Sequence, residues 1–321
     1  MTQRVLLTDR PWADDSIERG ILAAAGIELI EAPAGDEATL SRLAADCQAI
    51  MTCWAKVTQT VIAASPGCRH VARLGIGLDN IDVAYATSQK ILVTNIPDYC
   101  IEEVAEHALA LLLGLARNVA FHYLQTKQGV YDLRAGQPLR RISGQTLGLL
   151  GFGRTGQLLR QKALGLGLKV IAHSASGDDR GTGCEMVSLE ELFRRSDFLS
   201  LHAPLTPQTK HVVNARSLAT MKPHAVIINT SRGPLIDHGA LWATLQANSI
   251  GGAGLDVFEP EPPNLADPLY SDSRVIATPH IAFVSAESLI NLRERTAKQV
   301  VDVLQGRVPE NVINPHVLPG R

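Results

Sequence analysis

The chain has 321 residues, 45% hydrophobic and 19% charged, which is the composition of an ordinary soluble globular protein of about two domains. A formal charge of -2 offers nucleic acid no basic footprint. Five cysteines, odd in number and without a CxxC pair, argue against a disulfide framework or a metal site and for reduced thiols in a cytoplasmic setting.

The N-terminal MTQRVLLTDRPW has too short an apolar run for a signal peptide. Short apolar runs at Arg4–Thr8, Ile27–Ile30, Ala49–Cys53 and His70–Leu74 read as strands, separated by helical patterns such as Ser16–Ala25, which Gly26 ends. Strands alternating with helices imply a parallel sheet with ligands outside its carboxyl ends. The fourth run leads into Leu74-Gly75-Ile76-Gly77-Leu78-Asp79-Asn80-Ile81-Asp82, whose glycines free backbone N–H groups for a small anion. A plain structural turn explains the same residues equally well. Ile91–Thr94 is another strand, and Pro97 keeps the connector Asn95–Cys100 extended. Glu102–Asn118 predicts a helix apolar nearly all round, hence buried on several sides. Its apolar part, Val104–Ala116, is too short and too closely flanked by charge to span a bilayer, so no membrane partner is expected. Lys127–Ser143 is polar and irregular.

Thr146–Gly156, TLGLLGFGRTG, then reads as a strand, a tight turn and a helix start. Gly151 permits the turn, Gly153 lets the backbone approach a pyrophosphate, and Gly156 lets the helix pack close to the strand. Phosphates would sit on unpaired N–H groups at the positive end of the helix dipole, around Phe152, Arg154 and Thr155. Leu158, Leu159, Ala163 and Leu164 continue at helical spacing, and Leu168–Ala172 is the next strand. This βαβ context points to dinucleotide binding.

Ser188-Leu189-Glu190-Glu191 is a capping box opening a short helix. Asp197–His202, Ala225–Asn229, Gly252–Asp256 and Val275–Thr278 are further strands ending in polar residues, and Ser285–Gln305 is a long helix before a tail with Pro309, Pro315 and Pro319. Three strand ends deliver ionisable groups: Arg232, Glu261 and His280. Singly, these read as a capping cation, a solvated loop charge and a satisfied loop histidine. Together, downstream of a nucleotide fingerprint, they are what carbonyl reduction needs. His280 would protonate the carbonyl oxygen of a 2-oxo acid, Arg232 would hold its carboxylate as a charge-assisted fork, and Glu261 would favour the imidazolium. His107 and His202 lack such company and, taken alone, read as structural.

The motifs IGLDNID, EEVAEHALALLLGLAR, GLLGFGRTG, LHAPLTPQT, INTSRGPLID, GLDVFEPEP and TPHIA, in this order over roughly residues 70 to 285, resemble the D-isomer-specific 2-hydroxyacid dehydrogenase family. The resemblance implies two Rossmann-like doubly wound α/β domains with a cleft between them. A flavodoxin-like substrate domain would comprise residues 1–100 and 286–321, and an NAD(P)-binding domain residues 101–285. Arg232, Glu261 and His280 match the family's catalytic trio. Ile76 and Gly77 match backbone donors to the substrate carboxylate, and Tyr99 matches a position that touches substrate in some members. His202, Pro204, Thr209, Thr230 and Asp256 match coenzyme contacts. The helix Val104–Arg117 matches one that packs across a two-fold, which implies a homodimer.

Two departures stand out. The second coenzyme strand often ends in an acidic residue that binds the adenosine ribose, and here that position is Ser174. Without the carboxylate a 2'-phosphate is not repelled, yet the nearest arginine is Arg180, behind Asp178 and Asp179. NAD and NADP both remain open, with a slight lean to NADP. Phe283 stands where small residues often follow the histidine, either narrowing the pocket or filling space. Glyoxylate and hydroxypyruvate are the first substrates to consider. A non-enzymatic corepressor-like relative is an alternative, and so is a formate dehydrogenase-like enzyme, although that family carries glutamine at the position of Glu261 and asparagine at that of Cys100.

Overall fold

The computed structural model describes residues 2–136 and 138–318; Pro319 and Gln137 of the segments above lie outside them. The chain divides into two compact units, Met1–Tyr99 with Ser285–Arg321, and Cys100–Val284.

The first unit carries β1 (Gln3–Leu7), α1 (Ser16–Ala24), β2 (Ile27–Glu31), α2 (Glu37–Ala44), β3 (Ala49–Thr52), α3 (Gln59–Ala63), β4 (His70–Arg73), α4 (Val83–Ser88), β5 (Leu92–Thr94) and the C-terminal helix Ala286–Leu304. All strand pairs are parallel, in the order β2-β1-β3-β4-β5, the flavodoxin-like arrangement. Side chains alternate across the sheet. Val5, Leu7 and Met51 pack with Leu22 of α1 and Leu292 and Val300 of the C-terminal helix. Leu6, Ile50 and Val71 pack with Leu40 of α2 and Ile62 of α3. Both faces are covered, which is why the strands read as unbroken apolar runs. Gly26, at φ +75, ends α1 in the left-handed conformation that its lack of a side chain allows.

The second unit carries α5 (Ile101–Ala116), α6 (Val119–Lys127), β6 (Thr146–Leu150), α7 (Arg154–Leu164), β7 (Lys169–His173), β8 (Glu185–Met186), α8 (Leu189–Arg195), β9 (Phe198–Leu201), α9 (Ala215–Leu218), β10 (Val226–Asn229), α10 (His238–Gln246), β11 (Gly252–Leu255), α11 (Pro268–Ser271) and β12 (Val275–Ala277). Its seven parallel strands run β12-β11-β10-β9-β6-β7-β8, so the order reverses between β6 and β9. That reversal is the switch point at which doubly wound sheets bind ligands, outside the carboxyl ends of the strands. One face packs Leu147, Leu149 and Ile228 against Ala105, Ala108, Leu111 and Leu112 of α5. The other packs Leu199, Leu201 and Ile227 against Leu192, Leu218 and Leu241 of α8, α9 and α10.

Two local expectations change. Ser188 caps α8 by accepting the Glu191 N–H at 3.2 Å, but full reciprocal capping boxes form instead at Asn214 with Ser217 and at Ser285 with Ser288. The stretch before Lys127 forms α6, which the sequence reading passed over. Among the described residues no single helix is long and apolar enough to cross a membrane.

Candidate functional site

In the second unit the three fingerprint glycines differ in what surrounds them. Gly151 has φ +94, and a Cβ there would lie 2.5 Å from the Ala203 nitrogen and the His202 carbonyl carbon. At Gly156 it would lie 2.7 Å from the Gly151 oxygen, so this glycine lets α7 rest on the turn. At Gly153 it would meet nothing within 4 Å. The space is open where backbone and phosphate would meet. Gly153 caps α7 without a side-chain bond, so no side chain at the cap competes with a ligand for the helix N-terminus. Phe152 is buried in the core and offers the site its backbone only, while Arg154 is exposed and Thr155 half-buried.

Ser174 follows β7 directly, half-buried, its hydroxyl 3.3 Å from that of Ser176. His173 turns Nδ1 to the Val187 carbonyl at 3.0 Å, and Arg180 pairs with Asp178 at 3.3 Å on the surface. His202, after β9, is 2.9 Å from the Ser200 hydroxyl through Nε2, and burial pushes its pKa down to about 4, so it is neutral near pH 7. The Thr209 hydroxyl donates to the Pro204 carbonyl at 2.7 Å and braces that loop from inside. Thr230, after β10, has a buried hydroxyl with no partner among the described residues. A buried orphan at this end of the sheet is what a bound coenzyme would satisfy.

Arg232 sits two residues further on, half-buried, its guanidinium donating to the Ser231 carbonyl at 2.8 Å. Its neighbour Gly233 fixes the approach of the next loop: a Cβ there would fall 1.9 Å from the Phe258 oxygen. No other residue type fits, so the turn after β10 lies directly on the loop that carries Glu261. The Glu261 carboxylate bonds Nδ1 of His280. His280 itself has φ +53, and Phe283 meets its ring edge-on at 6.0 Å between centroids. The side chains of Glu261 and His280 therefore meet, each on the loop after its own strand.

Asp256, after β11, is fully buried. Its carboxylate accepts the Ile281 and Ala282 N–H groups at 3.0 and 2.9 Å and the Thr278 hydroxyl at 2.6 Å, so it is spent on the turn that carries His280.

The first unit contributes a separate arrangement after β4. Arg73, buried at the end of that strand, donates to the carbonyls of Leu74 and, at 2.8 Å, of Gly77. Asn95 donates to the Ile76 carbonyl at 2.8 Å, and the Ile96 N–H to that of Gly75 at 3.1 Å. The carbonyls of residues 74–77 are thus all taken. The amides of Gly75, Ile76 and Gly77 have no backbone acceptor among the described residues, so they remain available to a small anion. Tyr99 is half-buried against the core of this unit. Sequence reasoning passed over Arg73, whose signal was an arginine closing an otherwise apolar strand.

A model of the D-isomer specific 2-hydroxyacid dehydrogenase NAD binding domain matches residues 109–282. The chain is 42% identical over 235 residues to hydroxypyruvate reductase of Thermotoga maritima, covering 73% of this chain and 76% of that protein. It is 36% identical over 299 residues to glyoxylate reductase of Korarchaeum cryptofilum, covering 91% and 90%. The crystal structure of D-lactate dehydrogenase from Aquifex aeolicus, complexed with NAD and lactic acid, matches with a TM-score of 0.88 at 28% identity, over 97% of this chain and 99% of that one.

Proposed function

Because the chain belongs to the D-isomer-specific 2-hydroxyacid dehydrogenase family and is a nicotinamide-dependent oxidoreductase of the CH–OH group, we propose that it reduces a small 2-oxo acid, glyoxylate or hydroxypyruvate first, to the 2-hydroxy acid. The observation that carries this reading is the imidazole of His280 held through Nδ1 by the Glu261 carboxylate at the carboxyl end of the coenzyme sheet. The residues present fit a dinucleotide: open space over Gly153, a helix start with no side-chain cap and the orphan hydroxyl of Thr230. When bound, that coenzyme supplies the hydride.

The chain's own residues do the rest. With Nδ1 engaged by Glu261, Nε2 of His280 is the nitrogen that passes a proton to the substrate's carbonyl oxygen. The Glu261 carboxylate fixes the orientation of that ring. Arg232 grips the carboxylate in a two-pronged fork and draws charge toward the oxygen, and in the first unit the amides of Ile76 and Gly77 are donors suited to a carboxylate. Tyr99 borders the substrate, and His202, Pro204, Thr209 and Thr230 border the coenzyme.

Both coenzymes are accepted, with a tilt toward NADPH, because Ser174 at the end of β7 presents no carboxylate to repel a 2'-phosphate. The protein is a cytoplasmic homodimer. Supporting the dimer, α6 and the segment after it expose Val119, Tyr123, Leu124, Tyr131 and Leu133. Phe121 of α6 helps to line a depression of about 520 Å³ at the amino ends of the coenzyme strands, away from the chemistry.

A panel of 2-oxo acids assayed with NADH and NADPH, together with formate and NAD, tests the reading. Oxidation of neither coenzyme with any oxo acid would leave a non-enzymatic role. In the same assay Ser174→Asp should raise the preference for NADH over NADPH at least about tenfold, roughly 1.4 kcal/mol of differential binding. Sedimentation velocity tests the dimer.

A further inference from the structure

The turn that carries His280 is held from behind by side chains far apart in the sequence. His107 of α5 places Nε2 2.9 Å from the hydroxyl oxygen of Thr278, the residue after β12. That hydroxyl lies 2.6 Å from Asp256 Oδ1, and His107 Nε2 lies 3.6 Å from the same oxygen. An ionised carboxylate only accepts, so Thr278 must give its one hydrogen to Asp256. The Thr278 oxygen is then an acceptor, and His107 must supply the Nε2–H. The direction of every bond in the chain is thereby fixed.

The far end of this chain grips the turn itself. Asp256 takes the amides of Ile281 and Ala282, while the His280 N–H donates to the Thr278 carbonyl at 2.9 Å. Between these anchors His280 holds φ +53, a conformation that a non-glycine side chain keeps only where its surroundings over-determine it. We propose that His107 is a positioning residue: through the Thr278 hydroxyl and the buried Asp256 carboxylate it locks the strained turn that aims the His280 imidazole. The inference rests on His280 being the proton donor.

Four variants test it. His107→Phe removes the donor and should lower kcat for oxo-acid reduction at least about tenfold, because small misplacements of a catalytic group are costly, with the coenzyme Kd unchanged. His107→Gln restores an N–H near the position of Nε2 and should stay within about threefold of wild type. Thr278→Val should match His107→Phe, and the double variant should be no worse than the poorer single, since both act along one path. Losses that multiply, or a His107→Phe enzyme with wild-type kcat, would overturn the inference. The 15N resonances of the His280 ring report the same coupling without turnover: they should shift in His107→Phe and Thr278→Val and not in His107→Gln. An unshifted His280 ring in His107→Phe overturns the inference whatever the activity. A wild-type protein that turns over no oxo acid would instead remove the proposed function, and the ring resonances would still decide the positioning.

Discussion

Adding one methyl group at each fingerprint glycine separates folding from coenzyme binding. In Gly151→Ala the methyl group meets backbone atoms of residues 202 and 203 at 2.5 Å, and the residue must hold φ +94. A left-handed conformation costs about 1–2 kcal/mol and overpacking about 1–3, so a loss near 3 kcal/mol follows. For a unit of this size that lowers Tm by roughly 6–12 °C. Gly156→Ala meets the Gly151 oxygen at 2.7 Å but has ordinary helical dihedrals. Its overpacking is partly offset by about 1 kcal/mol of helix propensity, so about half the loss of Gly151→Ala is expected. Gly153→Ala meets nothing within 4 Å and should leave stability within about 0.5 kcal/mol. Its methyl group nevertheless stands where backbone and pyrophosphate must touch, so NADH and NADPH should both bind at least about tenfold more weakly. Thermal melts and fluorescence titrations with each coenzyme make the comparison. If Gly153→Ala binds coenzyme like wild type, or melts as early as Gly151→Ala, the assignment of the three glycines is wrong.

His280→Asn should lower kcat by about 10² to 10⁴, the range for a positioned general acid, with coenzyme affinity nearly intact; turnover close to wild type would remove His280 from the mechanism. Arg232→Lys should fail as well, since a point charge cannot reproduce a two-pronged grip, and unchanged kcat and KM for the oxo acid would make Arg232 structural. Arg73→Met keeps the apolar stem but frees the Leu74 and Gly77 carbonyls, so KM for the oxo acid should rise by about tenfold while the coenzyme Kd holds. An unchanged KM in a folded variant would detach that loop from the substrate carboxylate. His70, fully buried with its pKa pushed down to about 3 by desolvation, must stay neutral in the folded protein while the unfolded chain takes up a proton near pH 6.5. Its contribution is complete above pH 6.5 and is lost as pH falls toward 3, so His70→Gln should flatten the fall of Tm across that window, and an equally steep fall would assign it to other groups.

Much of this was legible because both sheets are covered on both faces, so each strand announces itself as an apolar run broken by polar residues. Those polar residues make up the candidate site: Thr230 and Arg232 follow β10, Asp256 follows β11, and Thr278 and His280 follow β12. The expected strand ends overran by a residue at several places, Asp256 and Thr278 among them, since an inward-facing polar side chain just past a strand looks like part of it. Helix α6 was missed because Val119–Lys127 lacks a sided apolar pattern and none of its residues is buried. The His107–Thr278 bond joins residues 171 apart, and no spacing rule reaches across that interval. Read alone, a histidine on an apolar helix is a packing residue.

The two loops show how a buried charge decides what a backbone offers a ligand. Every peptide group brings one donor and one acceptor, and whichever faces the interior must be satisfied there. In the first unit the buried ion is a cation: Arg73 consumes the carbonyls of Leu74 and Gly77, Asn95 and Ile96 take the two between, and the amides of residues 75–77 are what remains. Such a loop can only attract an anion, and among the described residues no carboxylate pairs with Arg73 to cancel its charge. In the second unit the buried ion is an anion: Asp256 consumes the amides of Ile281 and Ala282. That loop has spent its backbone donors, so any attraction it offers an anion must come from side chains. Arg232 and His280 are the side chains at that end of the sheet, and the proposed reduction would draw on both.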